Sequence, residues 1–296
     1  MGELHDIVAR LEPTLGPILG EPVALEGGIT NRNFRVRLGG IDYVIRRPGK
    51  DTALLGIDRE AERMAAEAAA RLGLAPAVAA VLDGGLVTLL IPCTQVGGEE
   101  LSERAGEIGA ALREFHDCGV VLPRSFWVPD LLGDYTRIVL DRGGRLSPEY
   151  RETISLAERI AGAIPLVPPS PCHNDLLAGN IIRADRGGRL MIVDWEYAGM
   201  GHPYFDLGNL SVNNDFDEAT DERLLAAYHG RPPSDSERAT LKLMRVLSDA
   251  REAAWGVLQA EISELDFDFT GYGGAHFQRL LAVGEAADFE EWLAAA

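Results

Sequence analysis

Basic residues, cysteines and long apolar runs are all scarce in this sequence. It has 28 lysine and arginine residues against 46 aspartate and glutamate residues, and its formal net charge is -18. A chain this acidic is a poor partner for nucleic acid or for an anionic membrane, whereas it would attract a cationic substrate. No apolar run approaches the roughly 18 residues that a membrane span needs, and the first residues lack a signal-peptide pattern. We therefore expect a soluble, cytoplasmic protein.

The few cysteines are also informative. Cys93, Cys118 and Cys172 are odd in number, widely spaced and without the paired spacing of a metal site. This pattern argues against a disulfide framework and is typical of a reducing compartment. We expect each cysteine to be a small buried residue, and His116 to be a packed histidine without a metal.

The first ninety residues have the pattern of a small antiparallel sheet. Apolar stretches at 36–38 and 41–45 flank Gly39-Gly40, and those at 78–82 and 86–91 flank Asp83-Gly84-Gly85, which are hairpin signals. Between the hairpins, alanines and leucines recur at helical spacing from about residue 58 to 73. The sequence therefore predicts paired strands that are crossed by one helix.

The remainder of the chain is mostly helical in pattern. Apolar residues line one face over 105–115, and further helices are predicted near 148–163, 217–229 and 236–262. The only clear strand signals lie at 180–183 and 190–193, around a turn. With 296 residues, the chain can form two units with real cores, and we predict a first lobe over 1–92 and a second over 93–296.

One constellation of polar residues carries the chemistry. Asp175 follows His173-Asn174, Asn180 comes five residues later, and Asp194 lies at the far end of the predicted hairpin. Phosphoryl transfer from ATP needs a carboxylate to orient and deprotonate a hydroxyl, together with oxygen ligands for Mg²⁺ on the phosphates. Asp175, Asn180 and Asp194 can supply these groups.

This constellation and the two-part layout resemble the protein-kinase-like enzymes. The spacing of Asp175 and Asn180 matches the kinase catalytic loop, and Asp194 lies where those enzymes have their magnesium aspartate. The loop reads His-Asn-Asp, and residues 194–196 read Asp-Trp-Glu, which resembles the aminoglycoside phosphotransferases and the choline/ethanolamine kinases. Residues 193–199 (VDWEYAG) and 205–209 (FDLGN) look most like a choline kinase, including the bacterial type. The resemblance implies an α+β, two-lobe fold, and ATP and Mg²⁺ as cofactors.

The resemblance also implies roles for individual residues. Asp175 and Asn180 are the expected catalytic residues, and Asn180 and Asp194 the expected metal ligands. His173 and Asp206 are expected to support the loop.

A nucleotide site follows from the same resemblance. Glu62 is expected to steady the phosphate-binding arginine, with Glu60 as the alternative. The other expected members are the loop residues Gly28, Thr30 and Asn31, the arginine itself, Arg46, and the hinge residues Ile91 and Cys93.

The acceptor site is expected near the C-terminus. Trp255 and Tyr272 are candidates for an aromatic wall around an ammonium group, with Asp266 as a nearby negative charge. Asn213 and Glu252 depart from the residues that choline kinases have at these positions, and this change could favour a primary amine over a trimethylated one.

Several alternatives remain open at this level. The acceptor can be choline, ethanolamine, an aminoglycoside or another small metabolite. A catalytically silent binding module and, more weakly, a metal hydrolase also fit, and the sequence leaves open whether the protein is a monomer or a homodimer.

Overall fold

An antiparallel sheet of five strands forms the first part of the fold. The computed structural model describes residues 2–25, 32–47, 52–82 and 85–296. The strands of this sheet are β1 (Val23–Leu25), β2 (Arg32–Leu38), β3 (Ile41–Arg47), β4 (Val78–Leu82) and β5 (Gly85–Leu89). Their order is β1-β2-β3-β5-β4, and every neighbouring pair is antiparallel.

Both predicted hairpins are confirmed. Leu38 pairs with Ile41 across Gly39 and Gly40, whose φ angles of 56° and 90° are in the left-handed region that glycine adopts without strain. Leu82 pairs with Gly85 in the second hairpin, and residues 83 and 84 at its turn lie outside the described residues.

Helices make up most of the remaining chain, and those predicted from periodicity are confirmed to within about two residues. Two of them begin at capping serines: Ser147 accepts a hydrogen bond from Tyr150 N, and Ser234 forms a capping box with Glu237. The helices are α1 (Gly2–Leu15), α2 (Arg59–Arg71), α3 (Gly98–Glu103), α4 (Ala105–His116), α5 (Val128–Asp141), α6 (Pro148–Ala163), α7 (Pro203–Asn213), α8 (Glu218–His229), α9 (Asp235–Ile262), α10 (Phe269–Gly284) and α11 (Ala287–Ala295).

Five short strands connect the helical part to the site. They are β6 (Cys93–Gln95), β7 (Ser170–Cys172), β8 (Ile181–Ala184), β9 (Leu190–Ile192) and β10 (Gly199–Gly201). The predicted hairpin forms β8 and β9, and β6 pairs with β8 to extend it, while β7 pairs with β10. Strands β6, β7 and β10 have three residues each, so they are too short to show a periodic pattern.

Two apolar cores hold these elements together. The smaller one joins α1 to the five-stranded sheet through residues such as Leu4, Val8 and Ile45. The larger one contains the buried alanines of α2, including Ala61 and Ala65, together with the helices of the second part. Helix α2 therefore carries its side chains toward the second part of the chain and toward the site.

The cysteines only partly match expectation. Cys172 is buried, but Cys118 is partly exposed and Cys93 is exposed, because β6 lies at the edge of its sheet. All three thiols are free. Within the described residues, no helix combines the length and apolarity needed to cross a membrane.

Candidate phosphotransferase site

One buried carboxylate supports the loop that follows β7. Asp206, in the first turn of α7, accepts hydrogen bonds from His173 N (2.8 Å) and Asn174 N (2.7 Å). Its Oδ2 also lies 3.0 Å from Nε2 of His116. Asn174 has a φ of 66°, a conformation that costs energy for most side chains and needs such support. The predicted supporting position of Asp206 is confirmed by these contacts.

His173 connects the two loops of the site. Its Nδ1 accepts a hydrogen bond from Asp175 N (3.2 Å), and its Nε2 lies 2.9 Å from the carbonyl oxygen of Val193. Burial lowers the pKa of His173 to about 4, so the ring is neutral at pH 7. Nε2 therefore carries the ring proton and donates it to Val193, so both ring nitrogens are engaged, which matches a supporting residue and leaves neither free to exchange a proton with a substrate.

Asp175 lies at the floor of a cavity of about 720 Å³. Its Oδ1 accepts a hydrogen bond from Arg251 Nη1 (3.0 Å), and its Oδ2 accepts one from Asn180 Nδ2 (3.1 Å). Burial raises the pKa of Asp175 to about 6, and the positive charge of Arg251 opposes that rise. The carboxylate is therefore mostly ionised at pH 7 and can accept a proton.

Asn180 and Asp194 line the same cavity as Asp175. The amide nitrogen of Asn180 also donates to the backbone oxygen of Asp175 (2.8 Å), so the amide oxygen is left for another partner. Asp194 has a left-handed backbone with a φ of 65°, and it contacts Arg46. An amide oxygen and a carboxylate in one cavity are suitable ligands for Mg²⁺.

An ion pair links the five-stranded sheet to α2. Nη1 of Arg46 lies 2.9 Å from Oε1 of Glu62, and Glu62 is buried. Glu60, the alternative partner, instead pairs with Arg63 at the surface. Of the two candidates, the structure therefore brings Glu62 to Arg46.

Two charged residues in this network did not stand out in the sequence. Arg59 Nη1 lies 2.6 Å from Glu62 and 3.4 Å from Glu196. Glu196 belongs to the same triplet as Asp194, and this was the only signal that could have identified it. Arg59 joins α2 to that triplet and so ties the two parts of the chain together.

The residues predicted to bind the nucleotide are only partly described. Ile91 and Cys93, the predicted hinge residues, line the cavity. Gly28, Thr30 and Asn31 lie outside the described residues.

Two aromatic rings form one wall of the same cavity. The rings of Trp255 and Tyr272 are 5.6 Å apart at 72°, and both line the cavity together with Glu252. The hydroxyl of Tyr272 donates to Glu252 Oε2 (2.6 Å), and Trp255 Nε1 donates to the hydroxyl of Tyr197 (2.9 Å). Two aromatic rings and a carboxylate are the groups that bind an ammonium ion.

Two predicted acceptor residues lie elsewhere. Asn213 is near the end of α7, where its side chain donates to Ser248 Oγ (3.4 Å), and Asp266 is exposed in the segment between α9 and α10. Neither is among the described residues that line the cavity. The structure thus brings Glu252, Trp255 and Tyr272 to Asp175, but it does not bring Asn213 or Asp266.

The residue that sequence reasoning missed at this end is Arg251. Its Nη1 lies 3.0 Å from Asp175 and 2.5 Å from Glu252, and its guanidinium lies over the ring of Tyr197 at 4.3 Å. A single arginine inside a long helix gives no pattern by which to recognise it.

The two-part fold and the arrangement of Asp175, Asn180 and Asp194 define the protein-kinase-like class of small-molecule phosphotransferases. The model of the phosphotransferase enzyme family (APH) matches residues 22–244, and the chain belongs to this family. The predicted fold class and family are confirmed.

Solved structures and a curated relative place the chain more closely within that family. The structure of a choline/ethanolamine kinase family protein from Mesorhizobium loti has 32% sequence identity and a TM-score of 0.82, covering 99% of this chain and 98% of that one. A structure of LicA in complex with AMP has 25% identity and a TM-score of 0.75, with 98% and 97% covered. The ethanolamine kinase of Drosophila melanogaster is 26% identical over 282 residues, and the match spans 81% of this chain and 53% of that protein.

Proposed function

We propose that this protein is an ATP- and Mg²⁺-dependent kinase that phosphorylates the hydroxyl of a small amino alcohol, choline or ethanolamine, in the cytoplasm. The observation that carries the proposal is that Asp175 and the wall of Trp255, Tyr272 and Glu252 share one cavity. The similarity to choline and ethanolamine kinases supports the same conclusion.

The acceptor end suits a small cation that carries a hydroxyl. An ammonium group is stabilised over the faces of Trp255 and Tyr272 by roughly 0.5 to 2 kcal/mol each. Glu252 adds a negative charge, and the net charge of -18 attracts a cation from a distance. An ammonium bound here leaves its hydroxyl directed toward Asp175, which orients it and accepts its proton.

The part of the cavity that is lined by Arg46, Asn180 and Asp194 suits a nucleoside triphosphate. Arg46, steadied by Glu62, presents a guanidinium to phosphate oxygens. Asn180 and Asp194 would hold Mg²⁺, which, when bound, neutralises charge on the phosphates. Ile91 and Cys93 lie where the adenine would meet the chain, and the AMP complex of LicA supports nucleotide use by this type of protein.

The test is an ADP-release assay with choline, ethanolamine, an aminoglycoside and no acceptor, each with and without Mg²⁺. We expect Mg²⁺-dependent turnover of choline or ethanolamine. Turnover of the aminoglycoside alone would place the acceptor in another class, and no turnover with any acceptor would favour a silent binding module.

The matched variant for this assay is Asp175→Asn. We expect it to bind ATP nearly as well as the wild type and to lose turnover by roughly 10²- to 10⁴-fold, because it removes the proton acceptor. An unchanged rate would refute the role assigned to Asp175.

A further inference from the structure

A buried arginine connects the two ends of the acceptor site. Arg251 lies on α9, and its side chain is 2% exposed. One nitrogen, Nη1, contacts both Asp175 and Glu252, at 3.0 Å and 2.5 Å. Among the described residues, its Nε and Nη2 have no hydrogen-bond partner. A single guanidinium charge is thus shared between the carboxylate at the reaction centre and the carboxylate at the aromatic wall.

The same guanidinium also covers an aromatic ring. Its central carbon lies 4.3 Å from the centroid of Tyr197, which lines the cavity and is bonded through its hydroxyl to Trp255. A cation over an aromatic face is the contact that a bound ammonium would otherwise make. The protein therefore already has a cation of its own on Tyr197, a ring that is hydrogen-bonded to Trp255 of the wall.

Glu252 is occupied on both oxygens. Oε1 faces Arg251 and Oε2 accepts the hydroxyl of Tyr272. Each carboxylate oxygen has two lone pairs, so Glu252 can still accept a hydrogen bond from a group that donates one. A primary ammonium donates three hydrogen bonds, whereas a quaternary ammonium donates none.

We propose that Arg251 is a specificity-determining residue, which selects an acceptor with a primary ammonium over one with a quaternary ammonium. The proposal rests on the proposed function, in that it places the ammonium at the wall of Trp255, Tyr272 and Glu252. A quaternary ammonium depends on open aromatic faces and on unshared negative charge, and Arg251 covers the face of Tyr197 beside the wall and shares the charge of Glu252. A primary ammonium compensates by hydrogen bonding to Glu252.

The first experiment compares ethanolamine and choline in three proteins: the wild type, Arg251→Met and Arg251→Lys. We expect the wild type to prefer ethanolamine in kcat/KM. In Arg251→Met, the kcat/KM for ethanolamine divided by the kcat/KM for choline should fall by roughly tenfold, because the face of Tyr197 becomes open and the positive charge is gone. Arg251→Lys keeps a positive charge that can lie over the ring of Tyr197, so its ratio should stay closer to that of the wild type than the ratio of Arg251→Met does.

Arg238→Met is the matched control. Arg238 lies on the same helix and pairs with Glu222 and Asp235 at the surface, away from the cavity. Arg238→Met removes one positive charge, as Arg251→Met does, and we expect it to leave the ratio of the two kcat/KM values unchanged.

Three results would overturn the proposal: a wild type that prefers choline, an Arg251→Met ratio equal to that of the wild type, or equal changes in Arg251→Met and Arg251→Lys. The second result includes a parallel loss on both amines, which would mean that Arg251 only supports the structure.

The second experiment does not need turnover. Calorimetry measures the binding of ethanolamine and choline to the wild type and to Arg251→Met, in the presence of a nonhydrolysable ATP analogue and Mg²⁺. We expect choline to gain affinity relative to ethanolamine in the variant. If the wild type turns over neither amine but this shift is seen, the proposed function fails and the role of Arg251 stands. If neither amine binds to either protein, the role of Arg251 fails as well.

Discussion

Replacing Asp206 by asparagine should destabilise the protein markedly. The carboxylate is fully buried and accepts three hydrogen bonds, from the backbone nitrogens of His173 and Asn174 and from the ring of His116. An asparagine side chain has one oxygen that accepts and one nitrogen that only donates. In either orientation, its NH₂ group faces at least one buried N–H donor.

The cost follows from these contacts. An unpaired buried donor costs about 1–3 kcal/mol, and hydrogen bonds to a charged group contribute about 1.5–3 kcal/mol each. We therefore expect Asp206→Asn to lower the free energy of unfolding by about 2–4 kcal/mol. Because Asp206 also holds the left-handed Asn174, the loop that carries Asp175 should shift, and kcat should fall more than the affinity for ATP.

Urea denaturation at pH 7, followed by tryptophan fluorescence, measures the stability change. The matched control is Asp217→Asn, since Asp217 caps α8 by accepting from Thr220 N (2.8 Å) and asparagine caps equally well. The control should stay within about 0.5 kcal/mol of the wild type. An Asp206→Asn protein as stable as that control would refute the reasoning.

Three further predictions follow from other contacts. Glu62→Gln should reduce kcat/KM for ATP by about 10- to 100-fold, because it weakens the ion pair with Arg46. In the same steady-state assay, Glu60→Gln should match the wild type. Equal losses in the two variants would contradict the pairing of Arg46 with Glu62. Trp255→Leu should raise the KM for the amine by roughly 3- to 30-fold and leave the KM for ATP unchanged in the same assay. A change in the KM for ATP alone would count against the aromatic wall as the acceptor site. The pKa of His173 is lowered to about 4 in the folded protein and lies below its unfolded value of about 6.5. The contribution of the neutral ring to the free energy of unfolding is therefore complete above pH 6.5 and is lost as the pH falls toward 4. At pH 5 this loss is about 2 kcal/mol. In urea denaturation at pH 7 and pH 5, the free energy of unfolding of His173→Gln should depend less on pH than that of the wild type. An equal dependence on pH in the two proteins would contradict the prediction.

Much of the fold could be predicted because its signals are local. The turn at Gly39 and Gly40 and the apolar face of α4 are each recorded within a few residues of sequence. The strands β6, β7 and β10 and the exposure of Cys93 depend on which distant strand pairs with them, so no local pattern indicated them.

The sequence by itself determined the chemical class of this protein. Asp175, Asn180 and Asp194 lie on one short loop and hairpin, so their spacing alone brings two carboxylates and an amide into one site, a set that is typical of phosphoryl transfer. The family match over residues 22–244 confirmed the class that this spacing indicated.

Only the tertiary structure decided how the charges pair. It brought Arg46 to Glu62 and left Glu60 at the surface, and it set Arg251 against Asp175 from 76 residues away in the chain. It also left Asn213 and Asp266 out of the described residues that line the cavity. The physical reason is that a Coulomb interaction or a cation over an aromatic ring depends on distance in space and on burial, and these are set by the packing of α2, α9 and α10 around the loop.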